Sequence, residues 1–157
     1  MIYYDYFETV LIGTLTLVGD AAGLRHIEFE KKKKTLTIEK EWQQQPEFFN
    51  EVKAQLTAYF EGKLKHFDLP LAPAGTAFQL SVWEALKAIP YGEVASYGDI
   101  AKAIGNPKAV RAVGGANARN PIPIVIPCHR VLGSDGSLTG FGGGLTTKQR
   151  LLDLERG

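Results

Sequence analysis

Pro121-Ile122-Pro123-Ile124-Val125-Ile126-Pro127-Cys128-His129-Arg130-Val131 is the stretch on which the reading of this chain turns. Proline has no N–H and a fixed φ, so its three prolines exclude a helix interior or a central strand. The expected geometry is an extended, rigid segment that pins Cys128. This is the only cysteine in the chain, which rules out an internal disulfide and, with only three histidines, argues against a structural zinc site. A lone cysteine usually packs as a small hydrophobe, whereas a rigid thiol beside an imidazole is a candidate nucleophile. Taken by themselves, these residues leave both readings open.

The surrounding chain has 157 residues, 45% hydrophobic and 22% charged, the composition of a globular protein of one domain or two small lobes. No apolar run approaches a membrane span and the first residues lack a signal-peptide layout. With the unpaired cysteine, this predicts a cytoplasmic protein with no membrane association. Net charge is only +1, but it is unevenly spread: residues 1–74 carry nine Lys and Arg against eleven Asp and Glu, residues 75–157 nine against six. From Gly105 to Arg130 there is no acidic residue, so the second half is the side suited to phosphate.

Upstream, residues 3–7, 13–19 and 24–30 are short, rich in β-branched and aromatic residues, and broken by glycine, which predicts an antiparallel meander. Lys31–Lys34 reads as a solvated loop or a blunted edge strand rather than a nucleic-acid patch. Residues 46–61 switch to helical spacing, with Phe49, Val52, Leu56, Tyr59 and Phe60 on one face, Pro46 in the first turn and Gly62 as the stop. Residues 70–75 are the best linker. The predicted division is therefore 1–74, a small antiparallel sheet with a helix, and 75–157, a mostly helical lobe.

In the second lobe Phe78, Val82, Trp83, Leu86 and Ile89 mark a helix ending before Pro90. Ser96 with Asp99 is a capping pair for the next, Gly105 its C-terminal cap, and Asn106-Pro107 the start of a third. Two short helices across a glycine turn make a helix-turn-helix outline. The third helix, 108–116, carries small side chains around one long cation, Arg111, and lacks the Asn, Gln and Arg set that reads bases. Contact without sequence readout is expected. Gly133–Gly136 is a turn, 140–144 a flexible glycine loop, and Thr146 with Gln149 a capping box for a last helix ending near Glu155.

Pro127-Cys128-His129-Arg130-Val131, preceded by Asn120-Pro121-Ile122-Pro123 and followed by Gly143-Gly144-Leu145, resembles the active-site signature of the O-alkylguanine-DNA alkyltransferases, the methylated-DNA–protein-cysteine methyltransferases. The resemblance continues through Tyr91-Gly92-Glu93-Val94, Ser96-Tyr97 and residues 105–116, covering essentially all of 78–155. It implies a ribonuclease H-like first lobe and a helix-turn-helix second lobe. It also implies direct, irreversible transfer of an alkyl group from O6-alkylguanine, and less efficiently O4-alkylthymine, to Cys128, without cofactor or metal.

By the same resemblance, His129 takes the thiol proton through a water and Glu155 orients the imidazole, a relay like that of the hydrolase triads. Asn120 holds the turn before the active site, and Tyr97 lies in the guanine pocket with Val131, Phe141, Gly142 and Gly143. The carbonyls of Cys128 and Val131 accept from the guanine amino group, and the Gly142 N–H donates toward its oxygen. Arg111 fills the stack left by the flipped base. Lys108, Ala109, Val110, Ala112, Gly114, Arg119 and Arg130 meet double-stranded DNA in the minor groove without sequence preference. The protein acts as a monomer. Phe141 departs from the Tyr of many relatives and Gly142 from the Ser of some, which bears on substrate breadth. The rival readings are a Cys-His hydrolase, a non-enzymatic lesion-recognition protein and a helix-turn-helix regulator.

Overall fold

The computed structural model describes residues 1–30, 36–139, 141 and 143–157, so the Lys31–Lys34 run lies outside the described residues. The chain forms two compact units, Met1–Pro73 and Ala74–Gly157.

In the first unit β1 (Tyr3–Thr9), β2 (Gly13–Asp20) and β3 (Gly23–Glu28) make the antiparallel meander that the alternation predicts. A fourth strand, β4 (Gln43–Gln44), lies parallel to the free side of β1. It was not legible as a strand, because two consecutive glutamines carry no apolar signal. The order is β3-β2-β1-β4. β2 is central, and Leu15 and Leu17 are fully buried. The 3₁₀ turn Pro46–Phe49 leads into α1 (Asn50–Phe60). Phe49, Leu56 and Tyr59 are fully buried on one face, each contributing about 1.5–3 kcal/mol on leaving water. Asp5 is paired with Lys53 and accepts from Gln44, so this nearly buried carboxylate is compensated.

The connector after α1 is more than a linker. Leu24 donates to Pro70 O at 2.9 Å and Ala72 to Leu24 O at 2.8 Å, bridging the outer edge of β3. The close approach is made at Gly23, where a Cβ would stand 2.5 Å from the Pro70 carbonyl oxygen.

The second unit packs α2 (Ala77–Leu86), α3 (Tyr97–Ala103) and α4 (Val110–Ala118) against one another. Thr76 and Gln79 form a capping box at α2, and Ser96 and Asp99 form the expected one at α3. Gly105, at φ 78°, closes the turn of the helix-turn-helix. α4 starts later than expected, at Val110 with Ala109 before it and no side-chain cap. The Ala109 N–H is used by the Asn106 carbonyl in a turn, so residues 106–109 are spent on that turn. Trp83 donates its indole N–H to Ala116 O at 2.9 Å, tying α2 to α4 through the core.

Two-residue strands β5 (Ala95–Ser96) and β6 (Val131–Leu132) pair in parallel, which were too short to predict. The last helix, α5 (Leu145–Arg156), begins behind Gly144 with no side-chain cap. The Thr146–Gln149 capping box is therefore corrected: Thr146 already lies inside the helix. Among the described residues no helix is long and apolar enough to cross a membrane.

Two glycines of positive φ separate backbone strain from crowding. Gly62, at φ 76°, has nothing within 4 Å of a built Cβ, whereas Gly23, at φ 141°, meets the Pro70 carbonyl. Gly62→Ala should cost about 1–2 kcal/mol from the left-handed conformation alone, and Gly23→Ala clearly more, read as the larger drop in urea midpoint. Equal midpoints would contradict the close packing of the connector on β3.

Candidate active site

The site is built on the turn after α4. Asn120 clamps both ends of it, donating from Nδ2 to Ile126 O at 2.7 Å and accepting the Ile122 N–H on Oδ1 at 3.0 Å. Ile126 also donates to Ile122 O at 2.9 Å. Within the clamp Ile124 adopts φ 75°, a left-handed conformation that is unusual for a β-branched residue and costs about 1–3 kcal/mol. Burial of Ile122, Ile124 and Ile126 and the clamping bonds hold it there. The extended geometry expected for 121–131 is thus corrected. The prolines exclude a regular helix or strand, but their fixed φ suits tight turns equally well.

Cys128–Arg130 form one 3₁₀ turn. Successive side chains of such a turn diverge by about 120°, so Cys128, His129 and Arg130 face different surroundings. His129 and Arg130 both reach Glu155 on α5. His129 Nε2 and Glu155 Oε2 are 2.6 Å apart. Arg130 donates from Nε to Oε1 at 2.8 Å and from Nη2 to Oε2 at 3.0 Å, and from Nη1 to Ile89 O at 2.7 Å. The Gly92 N–H approaches Glu155 Oε1 at 3.4 Å. All three side chains are buried. The expected His129–Glu155 contact is present. The expected role of Arg130 at DNA is not met, because its guanidinium is buried and committed to Glu155 and Ile89.

The imidazole is held neutral. Burial pushes the His129 pKa below its ordinary value, against the bond to Glu155 that works the other way. A neutral ring whose Nε2–H donates to Glu155 leaves Nδ1 as an acceptor. Cys128 is buried and its thiol is pushed up to about 11 by loss of solvation, opposed by the Asn120 amide and the charge of Lys148.

Sequence reasoning missed Lys148. Fully buried, its ammonium donates to the Val131 and Thr139 carbonyls and lies 6.0 Å from the centre of the Phe141 ring. Burial pulls its pKa down, with Cys128 acting in the opposite direction. The missed signal was a stripe: Lys148, Leu151, Leu152 and Glu155 are the buried residues of α5, two charges at core spacing on an apolar face. Asn117 was also missed. It is buried on α4 beside Val113 and Ala116, with Nδ2 donating to Cys128 O at 3.3 Å.

The remaining residues fall into two groups. Tyr97, half-buried, donates its hydroxyl to Thr139 O at 3.1 Å and accepts from Thr139 Oγ1 at 3.1 Å. The structure thus ties Tyr97, Thr139, Lys148 and Val131 into one hydrogen-bonded chain. Phe141 and Gly143 are half-buried, and Gly142 lies outside the described residues. The carbonyls of Cys128 and Val131, expected to face guanine, are already engaged: Cys128 O accepts from Asn117 Nδ2 and from the Val131 N–H, and Val131 O accepts from Lys148. Lys108, Val110, Arg111, Ala112 and Arg119 are exposed and Ala109 and Gly114 half-buried on or beside α4. Val113, Ala116 and Asn117 turn inward.

Known proteins match this arrangement along its whole length. Residues 2–73 match the family model described as "6-O-methylguanine DNA methyltransferase, ribonuclease-like domain" and residues 77–157 that of the "DNA binding domain" of the same enzyme. The methylated-DNA–protein-cysteine methyltransferase of Methanosarcina acetivorans is 57% identical over 98% of this chain and 97% of its own. That of Haemophilus influenzae is 48% identical over 99% of this chain and 87% of its own. The structure of Mycobacterium tuberculosis OGT in complex with DNA superposes with a TM-score of 0.89 at 47% identity, covering 98% of this chain and 92% of that one.

The protonation states set the pH range of stability. Between 9.0 and about 11 the unfolded chain has released the Cys128 proton that the folded state still holds, so stability falls as pH rises through that window. At the acid end the unfolded chain binds the imidazole proton first, so stability also falls as pH drops below 6.5. In Cys128→Ala the alkaline loss should shrink, by up to about 3 kcal/mol, when urea unfolding is followed from pH 8 to 11 (a range set by the ordinary thiol pKa of about 8.5). Superimposable alkaline limbs for the two proteins would contradict a buried neutral thiol.

Proposed function

The chain belongs to the 6-O-methylguanine DNA methyltransferase family, and from that premise we propose how its residues carry out the reaction. It is a methylated-DNA–protein-cysteine methyltransferase that acts on DNA by alkyl transfer. Such a transfer needs an acceptor cysteine, and Cys128 is the only one. The observation that carries the assignment is this sole thiol, buried and followed in the chain by an imidazole that Glu155 holds at 2.6 Å.

The thiol is neutral at rest and needs a proton acceptor at the moment of attack. Nδ1 of His129 is buried and makes no hydrogen bond to protein, which supports its receiving the Cys128 proton through a water. Glu155 steadies the resulting imidazolium, while Arg130 pairs with the same carboxylate. The thiolate then displaces guanine: the S–C bond forms, the C–O6 bond breaks, and the purine takes up one proton, a transfer we assign to the Tyr97 hydroxyl. The thioether is stable, so each molecule acts once.

The target carbon lies inside the duplex, so the base is extruded toward the side of the site that carries Tyr97, Val131, Phe141 and Gly143, at an unstacking cost of a few kcal/mol. α4 offers Val110, Ala112 and Gly114 around one long side chain, Arg111. That face supports entry into the minor groove without base readout, with Arg111 taking the vacated place in the stack and Lys108 and Arg119 meeting phosphates. A nucleophile that must stay reduced fits a cytoplasmic setting. One chain supplies every group of the relay, which fits a monomer.

Duplex DNA carrying labelled methylguanine, in excess over protein, should transfer one label per active chain and then stop, with no transfer to Cys128→Ala that still binds DNA. Arg111→Ala should slow repair of duplex at least tenfold and hardly affect a free-base substrate. Label released over repeated cycles would overturn the suicide mechanism, and equal loss on duplex and free base would overturn the role of Arg111.

A further inference from the structure

Buried polar atoms in folded proteins are almost always paired, and leaving one unpaired costs about 1–3 kcal/mol. Among the described residues only two buried side-chain nitrogen or oxygen atoms have no hydrogen-bond partner: Asn117 Oδ1 and His129 Nδ1. Both belong to residues joined directly to Cys128. Asn117 bonds to its carbonyl through Nδ2 at 3.3 Å, and His129 follows it in the chain. Both atoms are acceptors. The amide orientation of Asn117 is fixed, because only its NH₂ can donate to a carbonyl. His129 is neutral with its proton on Nε2 facing Glu155. Two acceptors orphaned on residues that both adjoin Cys128 call for a donor with two hydrogens, and a buried water with two to four polar partners is the ordinary solution.

We propose that Asn117 is a positioning residue for the thiol: its Oδ1 and His129 Nδ1 hold the two hydrogens of one buried water, whose lone pairs then face the Cys128 S–H. A water bound only to His129 can rotate and present a hydrogen to the sulfur, which blocks transfer. With both hydrogens committed, it can only accept. On ionisation the S–H proton passes to the water oxygen as the water's own proton passes to Nδ1. The products are thiolate, imidazolium and an unchanged water, and the hydrogen on Oδ1 is not transferred. This inference rests on the proposed relay through His129 and adds to it a residue on α4, so the helix that carries Arg111 also carries one wall of the relay.

The test is a double-mutant cycle on the full chain, read as single-turnover repair of methylguanine duplex. Asn117→Ala and Asn117→Leu should each slow repair about tenfold and move the rise of the pH–rate profile up by about one unit, a tenfold change being one pH unit in thiolate fraction. In a His129→Ala background the same substitutions should have no further effect. A purely structural role would slow repair equally in both backgrounds and leave the pH profile in place, and that result overturns the proposal while the relay stands. Wild-type rates in His129→Ala would sink the relay itself. A high-resolution crystal structure decides independently of how the variants fold. It should show one water about 3 Å from both Asn117 Oδ1 and His129 Nδ1, and a water contacting His129 alone would overturn the assignment.

Discussion

The arrangement depends on one buried carboxylate. Glu155 accepts from His129 and from both Nε and Nη2 of Arg130. An ion of this size loses several kcal/mol of hydration on burial, repaid only by good geometry and full hydrogen bonding. Arg130 supplies that compensation, with its Nη1 donating to Ile89 O. The ion pair joins α5 to the 3₁₀ turn, so the last helix in sequence fixes the turn that carries the cysteine. It also selects the imidazole tautomer, since a carboxylate at Nε2 keeps that nitrogen protonated and leaves Nδ1 as the acceptor. Losing Glu155 would leave a buried guanidinium unpaired, a larger penalty than the net worth of the pair.

Around this anchor the thiol and the imidazole are kept neutral by burial. The Cys128 thiol is protonated at rest because burial outweighs the Asn120 amide and the Lys148 charge. Those two groups are nevertheless in place for the thiolate once a proton acceptor is engaged. Lys148 binds carbonyls on both sides of the segment that leads to Phe141, and Thr139 hands the same network to Tyr97. The strain at Ile124 belongs to the same economy: an unfavourable backbone angle is tolerated where Asn120 bonds both flanks of the turn.

Much of this was legible in the sequence, and the failures share a cause. The β1–β3 meander follows from apolar alternation and glycine breaks, and the Ser96–Asp99 cap from local side-chain chemistry. Those signals act over a few residues. β4, β5 and β6 are two residues long and exist only because a partner strand lies alongside. The late start of α4 reflects a turn closed by backbone bonds that no side chain advertises. At the site, Cys128 and His129 were readable as neighbours, and Glu155 came from the family resemblance. Arg130 was misjudged because a lone arginine in a basic stretch looks solvent-facing until the carboxylate 25 residues away is placed beside it. Asn117 and Lys148 carried a signal that was overlooked: a polar group at core spacing in an apolar helical stripe is buried for a reason.

The central claim is that this buried, neutral thiol is the alkyl acceptor and is consumed. Intact-mass and peptide mass spectrometry after incubation with excess methylguanine duplex tests it most directly. The account predicts a single added methylene per chain, located on the peptide containing Cys128, and no further reaction on a second addition of substrate. An unmodified chain with demethylated DNA, or a methyl group found on any other residue, would contradict it.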